Sequence, residues 1–403
     1  MSALKTFAVI FLSLFLLLCL ITFGWLFTIK MTALNAGHVT SQLDSLPIAE
    51  IVSEADFSED FEDNPQFAEL IKTVIIDNEG EFKLRAGEAI ETIYDYFHGR
   101  SQQLDLALVL KDTVLDPDFA ISIVNQADLA PIAEELIRNM LAEVELPYGL
   151  SIEQHIEEFA IDTQPWLKQQ INAIIPPLFD YLLGFSQQAE IVIPVEDLKQ
   201  EIKEILKQDF LDMVPPEFTD LTPAELEQQF EEIFDEFATD IPVEFNISTD
   251  YLEPDIQADI VNSLHDTEEA LAESRHYIGV FNLVYGLLIG FILLLTGGIV
   301  LLFRQVKASA FTLGIVFLVY GFVNIIIVSV SRSIATSQIA QAIQNADVQL
   351  PAAFQQWVTQ FATSTTTPLL VLAIVLFIIG AILLAVSFFY PRYRSRMQTE
   401  TPL

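Results

Sequence analysis

Four stretches of this chain carry no charged residue over the length a helix needs to cross a bilayer, and no other feature restricts its fold as strongly. Between Lys5 and Lys30 lie 24 consecutive uncharged residues. The runs 277–303 and 308–331 are also uncharged, and a fourth begins after the threonines near Thr365 and ends at Tyr390. Each exceeds the ~20 residues that span hydrocarbon as a helix. Backbone polar groups in hydrocarbon must be satisfied within their own segment, so the expected form is four transmembrane α-helices.

The charges fall elsewhere. Of 56 acidic residues, 54 lie between Met31 and Arg275 beside 11 of the 19 basic ones, which leaves that region at −43 and the rest of the chain at +6. A surface so negative repels phosphates, which excludes nucleic acid as a partner and excludes general attraction to anionic headgroups. Its natural companions are cations, basic proteins or water. The single cysteine, Cys19, sits in the first apolar run, so no internal disulfide and no thiolate metal site can form.

Basic loops stay cytoplasmic because carrying their charge across the bilayer is costly. Arg304 to Lys307 and the tail bearing Arg392, Arg394 and Arg396 fall on one side if all four segments span. The expected plan is a cell-membrane protein with cytoplasmic termini. It has an anchor at 1–30, an acidic extracytoplasmic domain at 31–275, a three-helix membrane region at 276–391 with an outer interfacial loop at 332–366, and a cytoplasmic tail at 392–403. A cleaved signal peptide is the alternative for the first segment, although its apolar run is longer than the ~7–15 residues such peptides use. Either reading keeps the acidic region on the same side.

Within that region a nonapeptide recurs. Asp95-Tyr96-Phe97-His98-Gly99-Arg100-Ser101-Gln102-Gln103 returns as Asp180-Tyr181-Leu182-Leu183-Gly184-Phe185-Ser186-Gln187-Gln188, with six of nine residues identical. Asp128-Leu129-Ala130-Pro131 likewise matches Asp220-Leu221-Thr222-Pro223. Two tandem repeats, 66–147 and 151–242, are the simplest explanation. Helical periodicity in Ile90, Ile93, Tyr94 and Phe97 makes Gly99, and by analogy Gly184, a helix C-cap at positive φ. The period then becomes two, in Leu104, Leu106, Leu108 and Leu110 and again in Ile191, Ile193 and Val195, with Asp105 and Glu190 outward. A third alternating stretch is Val243, Phe245, Ile247. The fold class expected is therefore four membrane helices plus a mainly helical α+β domain made of two tandem repeats.

Trp166-Leu167-Lys168, the Tyr181-Leu182-Leu183-Gly184 turn and the strand after it resemble prokaryotic membrane proteins in which one anchor precedes such an ectodomain and further helices follow. The resemblance covers the second repeat. It implies the same plan and assigns no functional residue.

Two acidic clusters invite a divalent cation: Glu59, Asp60, Glu62 and Asp63, and Asp77, Glu79 and Glu81. Neither fits the twelve-residue calcium loop with its central glycine and closing glutamate, and a solvated acidic face is the main alternative for both. His38, His98, His155, His265 and His276 include no pair spaced for a helical zinc site. No nucleophile elbow, phosphate loop or dinucleotide fingerprint occurs, so no catalytic residue and no cofactor is assigned. The runs 277–303, 308–331 and 367–390 lack ionisable Asp, Glu, Lys, Arg and His, which weighs against a proton-coupled transporter. Gly286, Gly290, Gly297, Gly298, Gly314 and Gly321 would let helices approach closely, with Asn282 and Asn324 bonding between helices. Phe354, Trp357 and Phe361 stand at helical spacing in the outer loop, where they either lie along the membrane interface or pack beneath the acidic domain.

The function this favours is a non-enzymatic, membrane-anchored binding or scaffold protein of the cell envelope. Its partners would be the lipid bilayer and a protein, a cation or a second copy of itself. The alternative is a transport-associated or enzymatic membrane component acting on a small solute.

Overall fold

The computed structural model describes residues 3–55, 65–142, 156–189, 191–212, 214, 216–238, 243–247, 256–344 and 350–399. The chain is mostly helical. It opens with α1 (Ala3–Met31), α2 (Ala36–Asp44), α3 (Ile48–Glu54), α4 (Pro65–Asp77) and α5 (Glu79–Phe97). Then come α6 (Leu106–Asp112), α7 (Pro117–Gln126), α8 (Ala130–Ala142), α9 (Ile156–Leu182) and β1 (Ile191–Pro194). After α10 (Glu196–Asp212), α11 (Pro223–Ala238) and β2 (Glu244–Ile247) the chain enters α12 (Ile256–Phe303), α13 (Val306–Gln344), α14 (Ala352–Ser364) and α15 (Thr367–Thr399). Four helical spans are long and apolar enough to cross a membrane: Phe7–Met31, Ile256–Phe303, Val306–Ile343 and Ala352–Phe389.

The residues divide into two compact units. The first comprises Met1–Ala55, Ile90–Leu104 and Ala270–Leu403. Its core joins Leu16, Cys19 and Leu20 of α1 to Leu295 and Ile299 of α12 and to Leu313, Val316 and Tyr320 of α13. Helices α13 and α15 pack closest. A Cβ added at Gly321 would stand 2.6 Å from the Ala373 carbonyl oxygen, and one at Gly380 would stand 2.6 Å from the Leu318 nitrogen. Gly314 and Gly321 thus do what small residues were expected to do, letting backbones touch. Gly286, Gly290 and Gly297 of α12 meet nothing within 4 Å. Among the described residues Asn324 makes no bond across helices. Its amide donates to the Tyr320 carbonyl one turn back at 2.9 Å, the acceptor that lies nearest to a short side chain on its own helix.

Helix α14 carries the aromatic row Phe354, Trp357 and Phe361. Trp357 stacks between Phe354 and Phe361, and its Nε1 donates to the Gln42 carbonyl of α2 at 3.1 Å. The Glu54 carboxylate of α3 accepts the Ala352 N–H at 2.7 Å, capping the start of α14 with negative charge. Arg332 donates to the Thr363 carbonyl at 2.9 Å, to Thr366 Oγ1 at 2.7 Å and to Thr367 Oγ1 at 2.9 Å, tying α13 to the α14–α15 junction.

The second unit comprises Asp56–Ala89 and Asp105–Glu269. Its core is built by Phe159 of α9, Val195, Ile202 and Phe210 around α10, and Phe230 and Phe234 of α11. Strands β1 and β2 pair antiparallel, with Ile191 opposite Ile247 and Ile193 opposite Phe245. These are the two alternating stretches expected at 191–195 and 243–247. Glu190 lies outside the described residues.

The expected strand through Leu104, Leu106, Leu108 and Leu110 is instead helix α6. The Asp105 carboxylate accepts the Leu108 N–H at 2.9 Å and the Glu268 carboxylate accepts the Leu106 N–H at 2.6 Å, so two amides of the first turn are satisfied. The segment reads Leu-Ala-Leu-Val-Leu-Lys, strong helix formers except for Val109, whereas the other copy reads Ile-Val-Ile-Pro, which is β-branched and helix-terminating. Alternation of leucines alone could not separate the two cases.

The repeated nonapeptide forms the same turn twice. Gly99 at φ 74 and Gly184 at φ 79 adopt the left-handed region, as expected of C-cap glycines. In the first unit the Arg100 N–H returns to the Asp95 carbonyl at 2.9 Å and the Gly99 N–H to Tyr96 at 3.1 Å. In the second unit Phe185 returns to Asp180 at 2.8 Å and Gly184 to Tyr181 at 3.0 Å. Ser101 and Ser186 each donate to the carbonyl of the second glutamine, Gln103 or Gln188, at 2.6 Å. Arg275 donates to the Gln102 carbonyl at 3.3 Å and lies 4.5 Å over the Tyr96 ring. Gln257 serves the other turn, donating to the carbonyls of Tyr181 at 2.6 Å and Ser186 at 2.7 Å.

Candidate binding site

Gln66, Glu69, Leu70, Thr73, Val74 and Asp77 recur at three- and four-residue intervals on α4, and that spacing puts them on one face. In the second unit this face forms one wall of a cleft of about 520 Å³. The other wall is Ile123 and Gln126 at the end of α7, the Ala127-Asp128 link, and Pro131 and Ile132 in the first turn of α8. Such a volume falls within the range that holds small molecules.

The walls are apolar at mid-depth, where half-buried Leu70, Val74, Ile123 and Ile132 stand, and acidic at the rim. Glu69, Asp77 and Asp128 supply three carboxylates, and among the described residues no Lys or Arg lines the cleft. Asp128 is fixed: its Oδ1 accepts the Ala130 N–H at 3.1 Å and the Gln164 amide at 2.7 Å, holding the entry to α8. Asn78 turns inward and donates to the Val74 carbonyl at 2.9 Å. Glu69 and Asp77 make no ion pair among the described residues.

The structure separates the acidic residues that sequence proximity had grouped. Asp77 faces the cleft. Glu79 pairs with Lys83 at 2.5 Å along α5. Glu81 pairs with Arg85 at 3.0 Å, and that guanidinium also bonds Asp116 at 2.7 Å and lies 4.4 Å over the Phe119 ring. Glu59, Asp60, Glu62 and Asp63 lie outside the described residues. Among the described residues no group of three or more His, Cys, Asp or Glu side chains is close enough to hold a metal ion. His98 Nδ1 stands 2.9 Å from the Tyr94 carbonyl, a local helix contact.

Glu69 and Asp128 were not singled out from sequence as site residues. The signal for Glu69 was the polar stripe Gln66, Glu69, Thr73, Asp77 on a helix that is otherwise apolar apart from Lys72. For Asp128 the signal was a helix-entry aspartate, which says nothing of what faces it.

Elsewhere in the second unit carboxylates are held by cations. Lys203 pairs with Glu231, and Lys207 reaches Glu227 at 3.7 Å and Glu231 at 3.8 Å, zipping α10 to α11. Burial, with the nearby Asp162 charge adding to it, raises the Glu201 carboxyl above its ordinary value.

No family model, no curated protein and no solved structure matches the chain.

Proposed function

We propose that this is a membrane-anchored binding protein of the cell envelope whose acidic helical domain recognises a cationic ligand, a small cation or the basic face of a partner protein. The observation that carries the reading is the cleft between α4 and the α7–α8 corner, with Glu69, Asp77 and Asp128 on its walls and no lining cation among the described residues. Carboxylates around a partly apolar cleft keep their charge attractive at short range, because the local dielectric is lower than in water. The region of −43 net charge around them adds long-range steering of cations toward the domain.

In this reading the acidic residues 31–275 face away from the cytoplasm as two diverged tandem repeats. The basic loop 304–307 and the basic tail stay inside. The identical turns at Gly99 and Gly184 support a duplicated origin, and the charge bias supports the orientation. The helices anchor the domain or bring copies together.

The test is thermal melting of the full chain in detergent with millimolar putrescine, spermidine or spermine, organic cations that need no clustered ligand set, against sodium chloride at matched ionic strength. A ligand present at about 100 times its Kd stabilises the folded state by ~2.7 kcal/mol. One of the three cations should raise the melting temperature beyond the salt control, and Asp77→Asn with Glu69→Gln should remove that increment. Shifts fully reproduced by sodium chloride, or unchanged in the double variant, would refute the cleft as the site.

A further inference from the structure

The α12–α13 hairpin joins two uncharged runs, 277–303 and 308–331, through Arg304, Gln305, Val306 and Lys307. Helix α12 stops because Arg304 turns to φ 48, a left-handed conformation rare outside glycine, and α13 starts two residues later. The first turn of α13 is pinned to α15 by Ser387, which is 3 % exposed and donates its Oγ–H to the Lys307 carbonyl at 2.9 Å.

Beside this pin lies a cavity of about 320 Å³ lined by Gln305 of the linking loop, Lys307, Ala308 and Phe311 of α13, and Ser387 and Phe388 of α15. The Phe311 and Phe388 rings meet edge to face at 6.5 Å and remain 44 % and 66 % exposed. One end of the cavity is therefore cationic and the other aromatic. Its cationic end sits where both apolar runs finish, which in a bilayer is the level of the phosphates, and the rings reach into the acyl region below.

Arg304 and Lys307 are exposed and make no ion pair among the described residues. The nearest described carboxylate toward the N-terminus along α12 is Glu273, roughly 45 Å away at 1.5 Å per residue. The sequence adds Arg392, Arg394 and Arg396 within eight residues of Phe388. An excess of basic charge at a membrane boundary, beside a cavity open to the acyl layer, has the chemistry that binds anionic headgroups.

We propose that this cavity is a seat for an anionic membrane phospholipid, with its phosphate at Lys307 and Arg304 and its first acyl carbons between Phe311 and Phe388. The rival explanation is that the basic loop only sets orientation during insertion and holds no lipid. Orientation needs charge alone. A seat needs charge and the aromatic walls together.

The experiment is native mass spectrometry of the full-length protein in mild detergent, titrated with dioleoyl phosphatidylglycerol, with dioleoyl phosphatidylcholine, and with inorganic phosphate. Phosphatidylglycerol should form a one-to-one adduct at lower concentration than phosphatidylcholine. Lys307→Gln and Arg304→Gln should each weaken it about fivefold, the ~1 kcal/mol a basic residue near an anionic surface contributes. Lys307→Arg should keep the preference, and Phe388→Ala should weaken both lipids. Arg332→Gln, at the other end of α13, is the control and should leave the adduct within about twofold. Equal binding of the two lipids, or no loss in Lys307→Gln, would overturn the proposal. Displacement of the lipid by inorganic phosphate alone would show a free-anion site and overturn the lipid as its occupant.

Discussion

Replacing Gly321 by alanine tests a close backbone approach between α13 and α15. A methyl there would stand 2.6 Å from the Ala373 carbonyl oxygen, 2.6 Å from Phe377 Cβ and 2.8 Å from Phe377 Cα. Ordinary contact starts at 3.4 Å, so α13 and α15 must separate by about 0.8 Å, and two of the three obstacles are backbone that cannot rotate away. Overpacking of this kind costs ~1–3 kcal/mol. Alanine also gains up to ~1 kcal/mol of helix propensity over glycine, which would mask part of the loss. Gly290→Ala is the control for that gain, because nothing lies within 4 Å of its added Cβ. The free-energy difference between the two variants therefore isolates the packing term, and Gly321→Ala should be the less stable by ~1–3 kcal/mol. Unfolding in mixed micelles of increasing dodecyl sulfate, followed by tryptophan fluorescence, measures it. Equal midpoints for the two variants would refute the contact.

Three further outcomes follow from the acidic domain and its turns. Gly184→Ala should destabilise more than Gly99→Ala in thermal melts: both lose a left-handed glycine at ~1–2 kcal/mol, but only at Gly184 does the new methyl meet Val261, at 2.8 Å. Asp105→Ala should cost ~1 kcal/mol because it removes the N-cap of α6, whereas a strand at this position would lose nothing comparable. Glu201→Gln should stabilise the protein at neutral pH. The Glu201 carboxyl is raised in the folded state, so ionising it costs stability above its folded pKa, and that cost fades as pH falls toward the unfolded value. Melting curves of variant and parent should therefore converge at acid pH, and a gap that widened there would contradict the assignment.

The membrane helices were legible in the sequence because a single variable, charge, is absent over 277–303 and 308–331. The positive-φ glycines were legible because a helical period stops at Gly99 and at Gly184. The β1–β2 pair was legible from β-branched alternation at Ile191 and Ile193. The segment at Leu106 was not, since its leucines alternate in sequence while Asp105 and the distant Glu268 decide for helix. The glycine-lined contact was half legible: Gly314 and Gly321 were marked, but so were Gly286, Gly290 and Gly297, whose added Cβ meets nothing within 4 Å, while Gly380, which faces Gly314, was not. The cleft was the least legible part. Its carboxylates come from α4 and from the turn before α8; Asp77 was marked, but only with Glu79 and Glu81, and in a chain with 56 acidic residues no local spacing joins it to Glu69 and Asp128.

The most direct test of the account as a whole is the side of the membrane on which the acidic domain lies. Cys19 is the only cysteine and is buried, so Cys19→Ser gives a silent background. Into it Ala224→Cys places a thiol at an exposed position on α11, and Gln305→Cys places one in the exposed basic loop. Intact cells are treated with a membrane-impermeant maleimide before and after permeabilisation. The account predicts labelling of Ala224→Cys in intact cells and of Gln305→Cys only after permeabilisation; the reverse pattern, or both sites labelled together from outside, would contradict it.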